Sequence, residues 1–105
     1  MMDIMRNEED RSIYEKFYSN GILRMQNYCK NGKLDGECKT WYRNGQIEFQ
    51  EFYKDDMRDG DTKCWWPNGQ LEYHDVYSQG ILHGECKSWD RNGHLKFRRF
   101  YRDGR

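Results

Sequence analysis

At 105 residues, the chain has room for one compact domain or one short repeat array. Its 18 basic and 18 acidic side chains cancel, which argues against a dedicated nucleic-acid binder with the usual basic excess. A charged fraction of 34% resembles a disordered chain, but an aromatic fraction of 16% does not, so regularly placed rings over a thin core are expected to carry the apolar surface.

In chain order, the N-terminal MMDIMRNEED is acidic and lacks the apolar core of an export signal. No apolar run approaches the ~20 residues of a membrane-spanning helix. Residues 1–12 are read as a poorly ordered segment or a short cap, and 13–105 as a repeat array. The array announces itself in FYSNGILRM at 17–25, WYRNGQIEF at 41–49, WWPNGQLEY at 65–73 and WDRNGHLKF at 89–97, each beginning 24 residues after the last. Stacked, these give columns: Phe17, Trp41, Trp65, Trp89; an Asn-Gly pair; Leu23, Ile47, Leu71, Leu95; then Met25, Phe49, Tyr73, Phe97. Recurrence at a fixed interval in so many columns is an internal repeat.

Each unit reads as a β-hairpin. The apolar residues after the turn alternate with period two, and Asn-Gly between such runs is a strong hairpin signal. Pro67 selects the loop. A three-residue loop accepts Pro at its first position, with Asn68 next and Gly69 left-handed. That register sets Trp41 opposite Ile47, Trp65 opposite Leu71 and Trp89 opposite Leu95. It also predicts that these pairs share a face with Phe49, Tyr73 and Phe97. A second turn recurs at 30–32, 54–56, 78–80 and 102–104, and Gly36, Gly60 and Gly84 follow it. These glycines are expected either to let the backbone pass close to a neighbouring ring or to adopt a left-handed conformation. The expected fold is all-β: a single extended antiparallel sheet, a meander of about four tandem 24-residue hairpins.

The segments YCKNGKLDGECKTWYRNGQIEF at 28–49 and VYSQGILHGECKSWDRNGHLKF at 76–97, with the weaker FYKDDMRDGDTKCWWPNGQLEY at 52–73, resemble the MORN repeat class. The resemblance is to the variant, with units of about 24 residues, found in YwqK-type antitoxin repeat proteins. It covers roughly 14–105 and implies a sheet of successive hairpins that serves as a scaffold or binding surface, for proteins or for lipids. Three positions depart from the pattern: Asp56 replaces the connector glycine, Ser12 stands where Gly36 recurs, and Asp90 replaces an aromatic.

No catalytic, cofactor or metal site is expected. His83 and Cys86 lie three apart but lack a second pair to complete a zinc site. Glu37, Asp61 and Glu85 recur with the unit and alternate with Lys39, Lys63 and Lys87, which reads as cross-strand charge balance. Cys38 and Cys86 are two units apart, about 19 Å across a sheet, too far for a disulfide; Cys29 and Cys38 are left open. Free thiols then place the chain in a reducing, cytoplasmic compartment. The candidate binding surface is Tyr42, Trp66, Tyr53, Tyr77 and Tyr101, since an open sheet cannot bury both faces. The last unit is basic, with Arg98, Arg99, Arg102 and Arg105 as a candidate basic end.

The expected function is a non-enzymatic protein-binding or scaffolding module. The alternatives are an antitoxin-type protein that neutralises a cognate toxin, and a peripheral binder of acidic lipid through the basic end. The partner expected first is another protein. Head-to-tail self-association between the acidic N-terminal end and the basic last unit comes next, with membrane lipid and nucleic acid behind it.

Overall fold

The computed structural model describes residues 4–8 and 11–105; the expectations placed on 1–3 and 9–10 lie outside the described residues. Eleven strands form one sheet: β1 (Ile4–Glu8), β2 (Arg11–Phe17), β3 (Leu23–Lys30), β4 (Lys33–Trp41), β5 (Ile47–Lys54), β6 (Met57–Arg58), β7 (Gly60–Trp65), β8 (Leu71–Ser78), β9 (Ile81–Leu82), β10 (Gly84–Trp89) and β11 (Leu95–Tyr101). The main strands pair antiparallel in chain order, with β6 and β9 as short connector arms on β5 and β8. The result is a plate of 39 × 32 × 12 Å, one sheet thick. Among the described residues, no helix is long and apolar enough to cross a membrane. A single layer cannot enclose a core, and among the described residues no large side chain is fully buried. The cover each strand receives comes from the strands on either side.

Two kinds of turn alternate. At the Asn-Gly positions the loop has three residues: Tyr42 N–H donates to the Gln46 carbonyl at 2.8 Å and Gly45 N–H to the Tyr42 carbonyl at 2.9 Å. Gly45 sits at φ +89°, the left-handed conformation that the bulged residue of this loop requires. Trp41, Trp65 and Trp89 accordingly face Ile47, Leu71 and Leu95 across the ladder. The connectors instead use two-residue turns with both residues at positive φ, as at Asn31 (52°) and Gly32 (79°). Asp56 holds φ 67° where the other connectors have glycine, and its carboxylate compensates by accepting the Leu34 N–H at 2.7 Å.

One expectation fails. A second bulge lies between Thr40 and Trp41, and it recurs at Cys64/Trp65 and Ser88/Trp89. Thr40 pairs with Phe49 while Trp41 pairs with Ile47, which leaves Glu48 as an extra residue. Because successive residues point to opposite faces, Trp41 lies on the face away from Phe49. The tryptophan–aliphatic pairs therefore do not share a face with Phe49, Tyr73 and Phe97. Both faces are aromatic, in different ways.

Candidate functional site

The second face, that of the tryptophans, is largely matched within itself, although the buried His74 Nε2 makes no hydrogen bond. Lys39 Nζ lies 3.0 Å from Glu37 and stacks 5.7 Å from the Trp41 ring; Lys87 does the same with Glu85 (3.1 Å) and Trp89 (5.8 Å). Diagonal partners complete the carboxylate row: Gln50 donates to Glu37 at 2.6 Å, His74 Nε2 lies 3.3 Å from Asp61, and Arg98 lies 3.5 Å from Glu85. Among the described residues, no three His, Cys, Asp or Glu side chains gather as metal ligands.

The first face is built of three rows that run across the strands. In the upper row, large residues of β5, β8 and β11 (Phe49, Tyr73, Phe97) alternate with small ones of β4, β7 and β10 (Thr40, Cys64, Ser88). In the lower row, Tyr53, Tyr77 and Tyr101 each stand opposite a glycine: Gly36, Gly60 and Gly84. All three have positive φ, and the close neighbour is an aromatic side chain at Gly36 and Gly60 but Val76 at Gly84. Gly36 has φ +110°, and a Cβ there would lie 3.3 Å from Tyr28 Cβ of the preceding strand. Between the rows runs a polar line that includes Cys38, Glu51, Thr62, Asp75 and Cys86. Together the rows shape a shallow groove of about 260 Å³ lined by Thr62, Asp75, Tyr73, Tyr77, Phe97 and Arg58, among others.

One cluster in this groove breaks the repeat. Arg58 Nε donates to Glu51 at 2.9 Å, its guanidinium carbon lies 5.2 Å from the Tyr77 ring centre, and Tyr53 O–H donates to Glu51 at 3.0 Å. Arg58 occupies the column that holds Leu34 and Leu82 in the flanking units. Thr62 is only 3% exposed, and its hydroxyl has no hydrogen-bond partner. Sequence reasoning missed this cluster, although an arginine in a leucine column was a visible signal.

All five expected surface aromatics fall on this face, but they divide by role. Tyr53, Tyr77 and Tyr101 form the lower row. Tyr42 and Trp66 reach one unit onward: Tyr42 O–H donates to the Trp65 carbonyl and Trp66 Nε1–H to the Trp89 carbonyl at 3.3 Å, as Tyr18 does to Trp41 at 2.6 Å. They hold consecutive units together. Asp90, next in that column, turns inward on its own loop; the His94 and Asn92 backbone N–H groups hold its carboxyl below the ordinary carboxylate range. The basic end is divided as well. Arg98 pairs with Glu85 on the second face, Arg99 lies over the Phe97 ring on the first, and Arg102 and Arg105 close the last turn through their backbones.

All four cysteines are free thiols. Burial pushes Cys38 up to about 11 and Cys64 up to about 12, with Glu51 and Glu72 respectively adding to the rise. Unfolded, both ionise near their ordinary value of 9.0, so between pH 9 and 12 the folded state binds more protons than the unfolded. Stability is therefore full below pH 9 and falls as pH rises to about 11 and then about 12. Urea midpoints measured from pH 8 upward should drop across that window, and a Cys64→Ala variant should show a shallower drop.

Fold and face together define a class: a single-layer sheet of tandem hairpins in which each unit completes its neighbour. A family model for the MORN repeat variant matches residues 34–55, 58–79 and 82–103. The chain belongs to the MORN repeat family. The hairpin of β2 and β3 precedes the three matched segments and carries the same turn and the same onward tyrosine, Tyr18. No curated protein matches the chain.

Proposed function

We propose that this chain is a non-enzymatic scaffold that binds another protein through its first face. The observation that carries this reading is the difference between the two faces. On the second, carboxylates have cationic or amide partners and lysine stems lie over tryptophan rings. On the first lies a groove floored by aromatic rings; each face holds one buried polar atom without a hydrogen-bond partner, the Thr62 hydroxyl here and His74 Nε2 on the other, so it is the groove that sets the two apart. Rigid rings that lose little freedom on contact are favoured at protein interfaces. A toxin-neutralising role uses the same face and differs only in the partner's identity.

Strand β11 offers a matched test. Phe97 is 47% exposed on the first face, and Phe100 is 68% exposed on the second. Each is solvated, so neither Phe97→Ser nor Phe100→Ser is expected to unfold the sheet. With each variant as bait in the native host, Phe97→Ser should lose the partner that the parent chain captures and Phe100→Ser should keep it. The reverse pattern would overturn the assignment of the face.

A further inference from the structure

We infer that the slot above Gly84, between Tyr77 and Tyr101 and beside Asp75, takes the guanidinium of an arginine supplied by a partner segment. This inference rests on the reading of the first face as a protein-binding surface, and it specifies the chemistry that the face recognises.

The protein contains its own example of the interaction. In the preceding unit the slot above Gly60 is filled from within: Arg58 lies between Tyr53 and Tyr77, pairs with Glu51 at 2.9 Å, stacks 5.2 Å from the Tyr77 ring and approaches the Tyr77 hydroxyl at 3.4 Å. Moving 24 residues along the chain carries Glu51 to Asp75, Tyr53 to Tyr77, Tyr77 to Tyr101 and Gly60 to Gly84. The carboxylate, both rings and the glycine recur. The cation does not, because Arg58 becomes Leu82, which pairs with Tyr77 as Arg58 pairs with Tyr53; beside the slot, Thr62 becomes Cys86 and Asp75 becomes Arg99.

Asp75 is left without a cation. Among the described residues, no basic side chain forms an ion pair with it. The nearby arginines are engaged: Arg58, which lines the same groove, is held by Glu51; Arg99, opposite Cys86 on this face, lies 5.6 Å over the Phe97 ring; and Arg98 is on the other face with Glu85. The Cys86 thiol beside Asp75 is a weak donor, so most of the carboxylate's acceptor capacity is unused. Thr62, directly across the strand pair from Asp75, is on β7, on the Arg58 side of β8, and so belongs to the filled slot; Cys86 takes its place beside the open one.

A guanidinium meets the carboxylate and both rings together. It presents five N–H donors in one plane, enough for both Asp75 oxygens. Rings on alternate main strands stand roughly 10 Å apart, so a cation midway lies about 5 Å from each, within cation–π range. An ammonium would meet the charge but not the planar stacking, and the in-chain example is an arginine.

The test is a random dodecapeptide library panned on the immobilised full chain. Enriched peptides are expected to carry an arginine. Replacing that arginine with glutamine, or Asp75 with asparagine in the protein, should each weaken binding at least tenfold. Leu82→Arg keeps Asp75 but supplies the cation from within, as Arg58 does one unit earlier, and should close the slot to a similar extent while the strand signal in circular dichroism is retained. Peptides whose binding falls with Phe97→Ser but ignores the arginine replacement, Asp75→Asn and Leu82→Arg would overturn this inference and leave the scaffold reading intact. A library yielding no peptide that Phe97→Ser weakens would overturn both.

Discussion

Gly36→Ala is expected to destabilise the array by about 2 kcal/mol, a large share of the roughly 5–15 kcal/mol that holds a typical domain folded. Two causes act in the same direction. The backbone at Gly36 has φ +110°, where an L side chain is strained, and the new Cβ would lie 3.3 Å from Tyr28 Cβ of the neighbouring strand. Tyr28 meets it at its own Cβ, close to the main chain, so relief requires moving the strand rather than swinging a flexible tip. Gly32→Asp is the contrasting change. Gly32 has φ +79°, yet nothing lies within 4 Å of a Cβ there, and the chain already carries aspartate at the equivalent Asp56 with φ 67°. Its cost should stay within about 1 kcal/mol. Urea unfolding of the two variants beside the parent decides the matter. Equal losses would show that the close approach of strands contributes nothing.

The second large effect concerns Glu51. Its carboxylate is nearly buried and is held by Arg58 and the Tyr53 hydroxyl. Arg58→Ala removes the charged partner and leaves a carboxylate that water reaches poorly, at a cost of about 2 kcal/mol. The figure is below that for a fully enclosed pair because the arginine is 42% exposed. Adding Glu51→Gln to Arg58→Ala removes the stranded charge and should restore at least half of the loss. A double variant no more stable than Arg58→Ala alone would mean that the arginine contributes through packing against Tyr77 rather than through its charge.

What the sequence disclosed and what it concealed follow from where each signal resides. The hairpin register was legible because a turn constrains the residues that form it: Asn-Gly at every unit and Pro67 at one of them admit few loops. The second bulge was not, because it falls on Arg24, Glu48, Glu72 and Lys96, which share no chemistry that a bulge demands. Missing it put the tryptophan column on the wrong face. The roles of Tyr42 and Trp66 were hidden for another reason: their partners are main-chain carbonyls, which every residue carries. The Arg58 cluster stood in the open as a break in a column of leucines, but a single column read alone does not reveal that Glu51, Tyr53 and Tyr77 converge on it.

The connection of unit to unit has a mechanical consequence. Tyr18, Tyr42 and Trp66 fasten one margin of the plate, while Asp56, Gly80 and Gly104 donate backbone N–H groups to Leu34, Arg58 and Leu82 along the other. The outermost strands β1 and β11 lie at opposite edges. A pull on these two strands would therefore strip the plate ribbon by ribbon, and each ribbon would have to release both margins before the next takes the load. Resistance to such a pull is set by the weakest seam, not by the number of hairpins.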